Sequence, residues 1–175
     1  MLRDCKTSCD ELASPAAQSA GDTSIDTSMP ASFYDIKEKD IMGKLVDFSQ
    51  FRGKVVYIVN VASYCGYTES NYNLISELSK YSKDGLEIVV FPCNQFGSQE
   101  PGTNSEISAF AKSKGFRGLI MSKGDVNGAK TRPTFKFLKA STQKSYITWY
   151  GLYINYFIFS YDFKKNIAVK NTLTK

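Results

Sequence analysis

The 175-residue chain reads as an α/β domain, a sheet with parallel strands covered by helices, preceded by a tail. Three observations predict this. Residues 55–59 (VVYIV) form an apolar run with β-branched and aromatic members, broken by small and polar residues at 60–63. Leu74, Ile75, Leu78 and Tyr81 then recur at helical spacing behind Thr68 and Glu69, which suit a cap and a first turn. Asp84-Gly85 leads into a second apolar run, 86–91. Strand, helix and strand between 55 and 91 make a βαβ unit, whose strands run parallel through a right-handed crossover. A parallel sheet of this kind is covered by helices.

At 42% hydrophobic residues the chain can build one sizeable core, and it is too short for two ordinary domains. Residues 1–31, rich in Ser, Ala, Thr and Asp without sustained periodicity, are expected to be a disordered tail, and 32–175 the domain. Cys5 and Cys9 in that tail lack a second pair, and the chain has no His to complete a tetrahedral metal site, so they read as free thiols and no metal is expected.

The net charge of +5, from 22 basic and 17 acidic residues, is spread thinly. Its densest lysines, at 37–44, are interrupted by Glu38 and Asp40, which disfavours a nucleic-acid surface. The longest apolar stretch, near 152–159, is interrupted by Asn155 and falls short of a spanning helix. Four cysteines without the density of a secreted scaffold, and acidic residues at Asp4, Asp10 and Glu11, lead to the expectation of a soluble, cytoplasmic monomer.

Along the domain, 33–54 reads as a small hairpin around Met42-Gly43-Lys44, then a short helical turn carrying Phe48 and Phe51 and ended by Gly53. After the second apolar run, 91–102 (FPCNQFGSQEPG) is a loop at the sheet edge that also carries Cys65, the edge where open α/β sheets build their sites. Thr103 or Asn104 caps a helix bearing Ile107, Phe110 and Ala111, with Gly115 past its end. Pro133 suits the first position of another helix, and 146–163, dense in Tyr, Ile and Phe, reads as one or two strands.

Cys65 is the candidate nucleophile. It lies where a strand ends and a helix begins, and the partial positive charge of a helix start favours the thiolate, which is the reactive form. With no His in the chain, its chemistry has to rest on other groups.

Four stretches, NVASYCGYT at 60–68, FPCNQFGSQEPG at 91–102, DVNG at 125–128 and PTFKFLK at 133–139, resemble the glutathione peroxidase family in order and spacing. The Cys-containing, phospholipid-hydroperoxide-reducing and thioredoxin-dependent branches are the most similar. The resemblance implies a thioredoxin-like fold with a central mixed sheet flanked by helices. It makes Cys65 the peroxidatic cysteine, Gln99 the amide beside it, and Trp149 the indole of the family's WNF motif. Indole and amide N–H groups can donate to a developing thiolate or peroxide oxygen without a titratable base.

The implied activity is an antioxidant thiol peroxidase acting on hydrogen peroxide and on organic or lipid hydroperoxides. It needs no bound cofactor and uses glutathione or thioredoxin as external reductant. Two departures stand out: Tyr150 occupies the place of the motif's Asn, and the helix near Ser105 lacks the resolving cysteine of thioredoxin-dependent members. Cys93 then reads as structural rather than resolving. Residues 151–175 diverge from the family, and this leaves as alternative a non-catalytic or impaired peroxidase-like thiol sensor with an altered C-terminus.

Overall fold

In the computed structural model, the βαβ unit expected around Cys65 forms the centre of a five-stranded sheet. The structure describes residues 29–147 and the backbone of 156–162 and 165–171. Most of the expected tail, Trp149 and Tyr150 lie outside the described residues. In chain order the elements are β1 (Lys37–Lys39), β2 (Leu45–Asp47), β3 (Val55–Val61), α1 (Thr68–Leu78), β4 (Leu86–Pro92), α2 (Asn104–Ser113), β5 (Leu119–Ile120), α3 (Pro133–Ser141), β6 (Tyr156–Asp162) and β7 (Lys165–Asn171).

The strand order is β5-β4-β3-β6-β7. β3 runs parallel to β4 in register from Val55 opposite Leu86 to Val61 opposite Pro92, and β5 runs parallel to β4. β6 lies antiparallel along the other side of β3, from Val56 opposite Phe159 to Val59 opposite Tyr156, and β7 pairs antiparallel with β6. The sheet is therefore mixed. The aromatic stretch after Trp149, which could have left an exposed strand edge, contributes a strand paired on both sides.

Both faces of β3 and β4 are covered, which is why they read as unbroken apolar runs rather than alternating ones. Val56, Ile58, Val89 and Phe91 pack with Phe33, Phe48, Phe51, Phe135 and Leu138 on one face. Tyr57, Val59, Val61, Ile88 and Val90 meet Tyr72 and Ile75 of α1, Ile107 of α2 and Phe116 on the other. Phe33, Phe48 and Phe51 are at most 2% exposed, and burying each contributes roughly 1.5–3 kcal/mol over leaving it in water. Rings of that value, rather than the three-residue strands β1 and β2, hold the N-terminal hairpin on the sheet.

Local signals set the boundaries. Gly85, at φ +90°, ends the 3-10 extension of α1 (Ser79–Asp84) and turns the chain into β4. Thr103 and Glu106 form a reciprocal capping box on α2. Pro133 opens α3, whose first turn is satisfied from a distance: Glu38 of β1 accepts from the Thr134 N–H at 2.6 Å and from its hydroxyl at 2.7 Å. The other oxygen of Glu38 takes Arg132, and the pair is buried.

One local expectation is corrected. Thr68 does not cap α1: it is the first helical residue, Tyr67 occupies the cap without a side-chain hydrogen bond, and the Thr68 hydroxyl is committed elsewhere.

Candidate active site

Between the end of β3 and the start of α1 the chain must reverse out of the sheet edge, and Thr68 holds that reversal. Its buried hydroxyl donates to the Ala62 carbonyl at 2.7 Å and accepts the Cys65 N–H at 3.1 Å. Its own N–H donates to the Cys65 carbonyl at 3.0 Å. One side chain thus fixes both ends of the turn, and Cys65, a free and half-buried thiol, stands just ahead of the first helical turn. Exposed Tyr64 and Tyr67 flank it.

The loop after β4 is folded back against this turn. Gly97 and Ser98 adopt positive φ values of 61° and 53°, and the Gln99 N–H returns to the Phe96 carbonyl at 3.4 Å. Asn94 closes the loop from inside by accepting the Glu100 N–H at 2.8 Å.

Two bonds join the loops. The Tyr64 N–H donates to the Gln99 carbonyl at 3.0 Å, and the Ser63 hydroxyl donates to the Glu100 carboxyl at 2.7 Å. The residues next to Cys65 are therefore hydrogen-bonded to Gln99 and to its neighbour, so Cys65 and Gln99 share one corner of the sheet edge. Lys123 secures the far side of the loop, donating to the carbonyls of Glu100, Pro101 and Gly102 at 3.3, 3.2 and 2.5 Å.

A second chain of contacts reaches toward Trp149. The Gln95 side-chain oxygen accepts the N–H groups of Val126 and Asn127, each at 2.9 Å, while its amide donates to the Asn127 carbonyl at 2.9 Å. Asn127, in turn, brackets Ile147, accepting its N–H and donating to its carbonyl, both at 2.8 Å. The DVNG turn thus fixes the backbone two residues before Trp149, which itself lies outside the described residues.

Cys93 is buried where Cys65 is half-buried. It is 1% exposed, packs with Val89, Phe91 and Phe135, and directs its weak S–H donor at the Gln95 oxygen, 3.8 Å away. Burial pushes its thiol above the ordinary range. Among the described residues no group of His, Cys, Asp or Glu is arranged to hold a metal ion, and no helix is long and apolar enough to cross a membrane.

Ser63, Asn94, Glu100, Gln95 and Asn127 were not among the residues singled out from sequence, and Thr68 was singled out there only as a helix cap. All but Asn127 belong to the two stretches that carry Cys65 and Gln99, and Asn127 lies in DVNG. The motifs contained the signal, but not which side chain bonds to which.

The family model described as glutathione peroxidase matches residues 33–139. The chain is 49% identical over 128 residues to glutathione peroxidase 1, mitochondrial, of Chlamydomonas reinhardtii, covering 70% of this chain and 64% of that protein. It is 53% identical over 111 residues to phospholipid hydroperoxide glutathione peroxidase 1, chloroplastic, of Arabidopsis thaliana, covering 62% of this chain and 47% of that protein. The chain thus spans about half to two thirds of the length of these relatives.

Among solved structures, T. cruzi GPX1 aligns with a TM-score of 0.54 at 33% identity over 73% of this chain and 78% of that one. A secreted Mycobacterium tuberculosis disulfide oxidoreductase aligns at 0.52 with 9% identity over 83% and 89%, a likeness of fold alone. The fold is thioredoxin-like, as the motifs implied.

The cytoplasmic location expected from sequence does not stand, because relatives at about half identity carry mitochondrial and chloroplastic names. The physical reason is that an address is read by receptors, and neither the cysteine count nor the acidic residues Asp4, Asp10 and Glu11, from which that expectation was drawn, decides it.

Proposed function

Because the chain belongs to the glutathione peroxidase family, we propose that it is a thiol peroxidase reducing hydrogen peroxide and organic or lipid hydroperoxides, acting in an organelle. The Cys65 thiolate attacks the distal oxygen of the hydroperoxide. A sulfur–oxygen bond forms as the oxygen–oxygen bond breaks, the leaving oxygen takes a proton and departs as alcohol or water, and Cys65 is left as a sulfenic acid. A first external thiol condenses with it, releasing water. A second thiol attacks the mixed disulfide, restoring Cys65 and carrying away the oxidised donor.

The observation that carries this reading is the pair of hydrogen bonds tying the Cys65 turn to the loop bearing Gln99. Gln99 supplies amide N–H groups and Trp149 an indole N–H, donors suited to charge developing on sulfur or oxygen. Tyr64 and Tyr67, close to Cys65 in sequence, are exposed and offer aromatic surface that suits organic hydroperoxides.

Glutathione is the simplest reductant, with thioredoxin as the alternative donor. Buried Cys93 acts in packing rather than as a resolving thiol. The protein works as a monomer without a bound cofactor. The matched relatives give no support to a non-catalytic sensor.

NADPH-coupled peroxide consumption, run with glutathione and with thioredoxin, tests the activity and identifies the donor. Cys65→Ser is expected to abolish turnover while the circular dichroism spectrum persists; retained turnover in that variant overturns the assignment of the nucleophile.

A further inference from the structure

We propose that Glu100 is a positioning residue for the peroxide-reducing site: its carboxyl group, through the Ser63 hydroxyl, holds the Cys65 turn against the Gln99 loop. The inference rests on the thiol peroxidase reading above and goes beyond its reacting groups.

Glu100 is 0% exposed. One of its oxygens accepts the Ser63 hydroxyl at 2.7 Å, two residues before Cys65. Its backbone is fixed independently of that bond, with the N–H on Asn94 and the carbonyl on Lys123. The side chain is therefore an arm reaching from an anchored loop to the catalytic turn. Beside it, the Tyr64 to Gln99 bond joins the same two loops through backbone alone.

The other carboxyl oxygen has no hydrogen-bond partner among the described residues, and neither does the buried hydroxyl of Tyr72. The two groups feel each other: the Tyr72 hydroxyl is held far into its neutral form, first by burial and then by the Glu100 charge. Burial likewise raises the Glu100 carboxyl above the ordinary range, against the lowering influence of Ser63 and Lys123.

A desolvated carboxyl group with one unpaired oxygen works against folding, and an apolar residue of similar size would suit this interior better. Packing therefore does not account for Glu100. Its hold on Ser63 does, and functional sites commonly retain groups that stability alone would not select.

Three variants of the full chain test this: Glu100→Leu, Glu100→Gln and Ser63→Ala. Each is followed by the second-order rate of Cys65 sulfenic acid formation with hydrogen peroxide, by the iodoacetamide alkylation rate of Cys65 resolved by peptide mass spectrometry, and by the urea midpoint. Glu100→Leu is expected to slow peroxide reaction by about tenfold or more, the scale of a small misplacement of a reacting group. Its urea midpoint should stay level or rise, which a purely structural role does not predict.

Glu100→Gln keeps an acceptor oxygen for Ser63 and should recover most of the rate. Ser63→Ala should slow the reaction comparably, and combining it with Glu100→Leu should add little, because both cut the same bond.

A folded Glu100→Leu protein reacting within about twofold of the parent, well inside the misplacement penalty, overturns the proposal. So does a silent Ser63→Ala, and that variant decides the matter if Glu100→Leu does not fold. If the parent itself does not react with peroxide, the thiol peroxidase reading fails. The Cys65 alkylation rates still report separately whether Glu100 and Ser63 control that turn.

Discussion

Replacing Thr68 by Val keeps the shape of a side chain that is 7% exposed and deletes only its hydroxyl. Two hydrogen bonds go with it, the donation to the Ala62 carbonyl at 2.7 Å and the acceptance of the Cys65 N–H at 3.1 Å. At about 1 kcal/mol net for each, the direct loss is about 2 kcal/mol. Ala62 and Cys65 are both only half-buried, so water can take up part of the bonding of each orphaned group and the total stays near that figure.

The effect on chemistry should be larger than the effect on stability. The hydroxyl orients the peptide of Cys65, the proposed nucleophile, and displacing a reacting group by about 1 Å costs on the order of a hundredfold. Denaturant unfolding and stopped-flow peroxide reaction of Thr68→Val, with Thr68→Ser as the variant that keeps the hydroxyl, provide the assay. If Thr68→Val loses less than about 0.5 kcal/mol, the low end for one hydrogen bond, and reacts as fast as Thr68→Ser, the account of how this turn is held is wrong.

Three further outcomes are expected. After one equivalent of peroxide, non-reducing mass spectrometry should find Cys65 as a sulfenic acid or glutathione adduct; a Cys65–Cys93 disulfide as the main product would contradict the packing role given to the buried Cys93. Glu38→Gln should destabilise by about 3–5 kcal/mol, because it leaves Arg132, only 10% exposed in its side chain, without its countercharge. A shift in denaturation free energy below about 1 kcal/mol, the value of an exposed pair, would show that this pair is not energetically buried.

The partly exposed Asp47 carboxyl is held at about 2 by hydrogen bonds from Ser49, with a contribution from Lys37. A value depressed from 3.8 in the folded state contributes stability that is complete above the unfolded value and is lost as pH falls from about 4 to about 2. Asp47→Asn should therefore flatten that part of the acid unfolding curve, and an unchanged acid limb would count against the Ser49 bonds.

The chain's own letters determined the βαβ unit, because β3 and β4 are buried on both faces and so carry uninterrupted apolar runs, and because α1 repeats its apolar residues at helical spacing. They also determined where the proposed nucleophile stands in the chain, since Cys65 follows a strand and precedes a helix whatever the rest of the fold does, and the motifs around it carried the thioredoxin-like expectation. The Thr103 cap and the Pro133 helix start were legible for the same reason: both are set by bonds or torsions within a few residues.

What only the tertiary structure decided involves partners far apart in sequence. Ser63 meets Glu100, Tyr64 meets Gln99, Gln95 meets Asn127, and Glu38 meets Thr134, and no local period or spacing encodes such pairs. Thr68 shows the difference within one residue. Its type suits a helix cap, but the Ala62 carbonyl and the Cys65 N–H, brought within reach when the chain reverses at the sheet edge, claim its hydroxyl first. The position of β6 between β3 and β7 is of the same kind: an aromatic, β-prone stretch can announce a strand, but which edge it completes depends on where the folded sheet leaves one open.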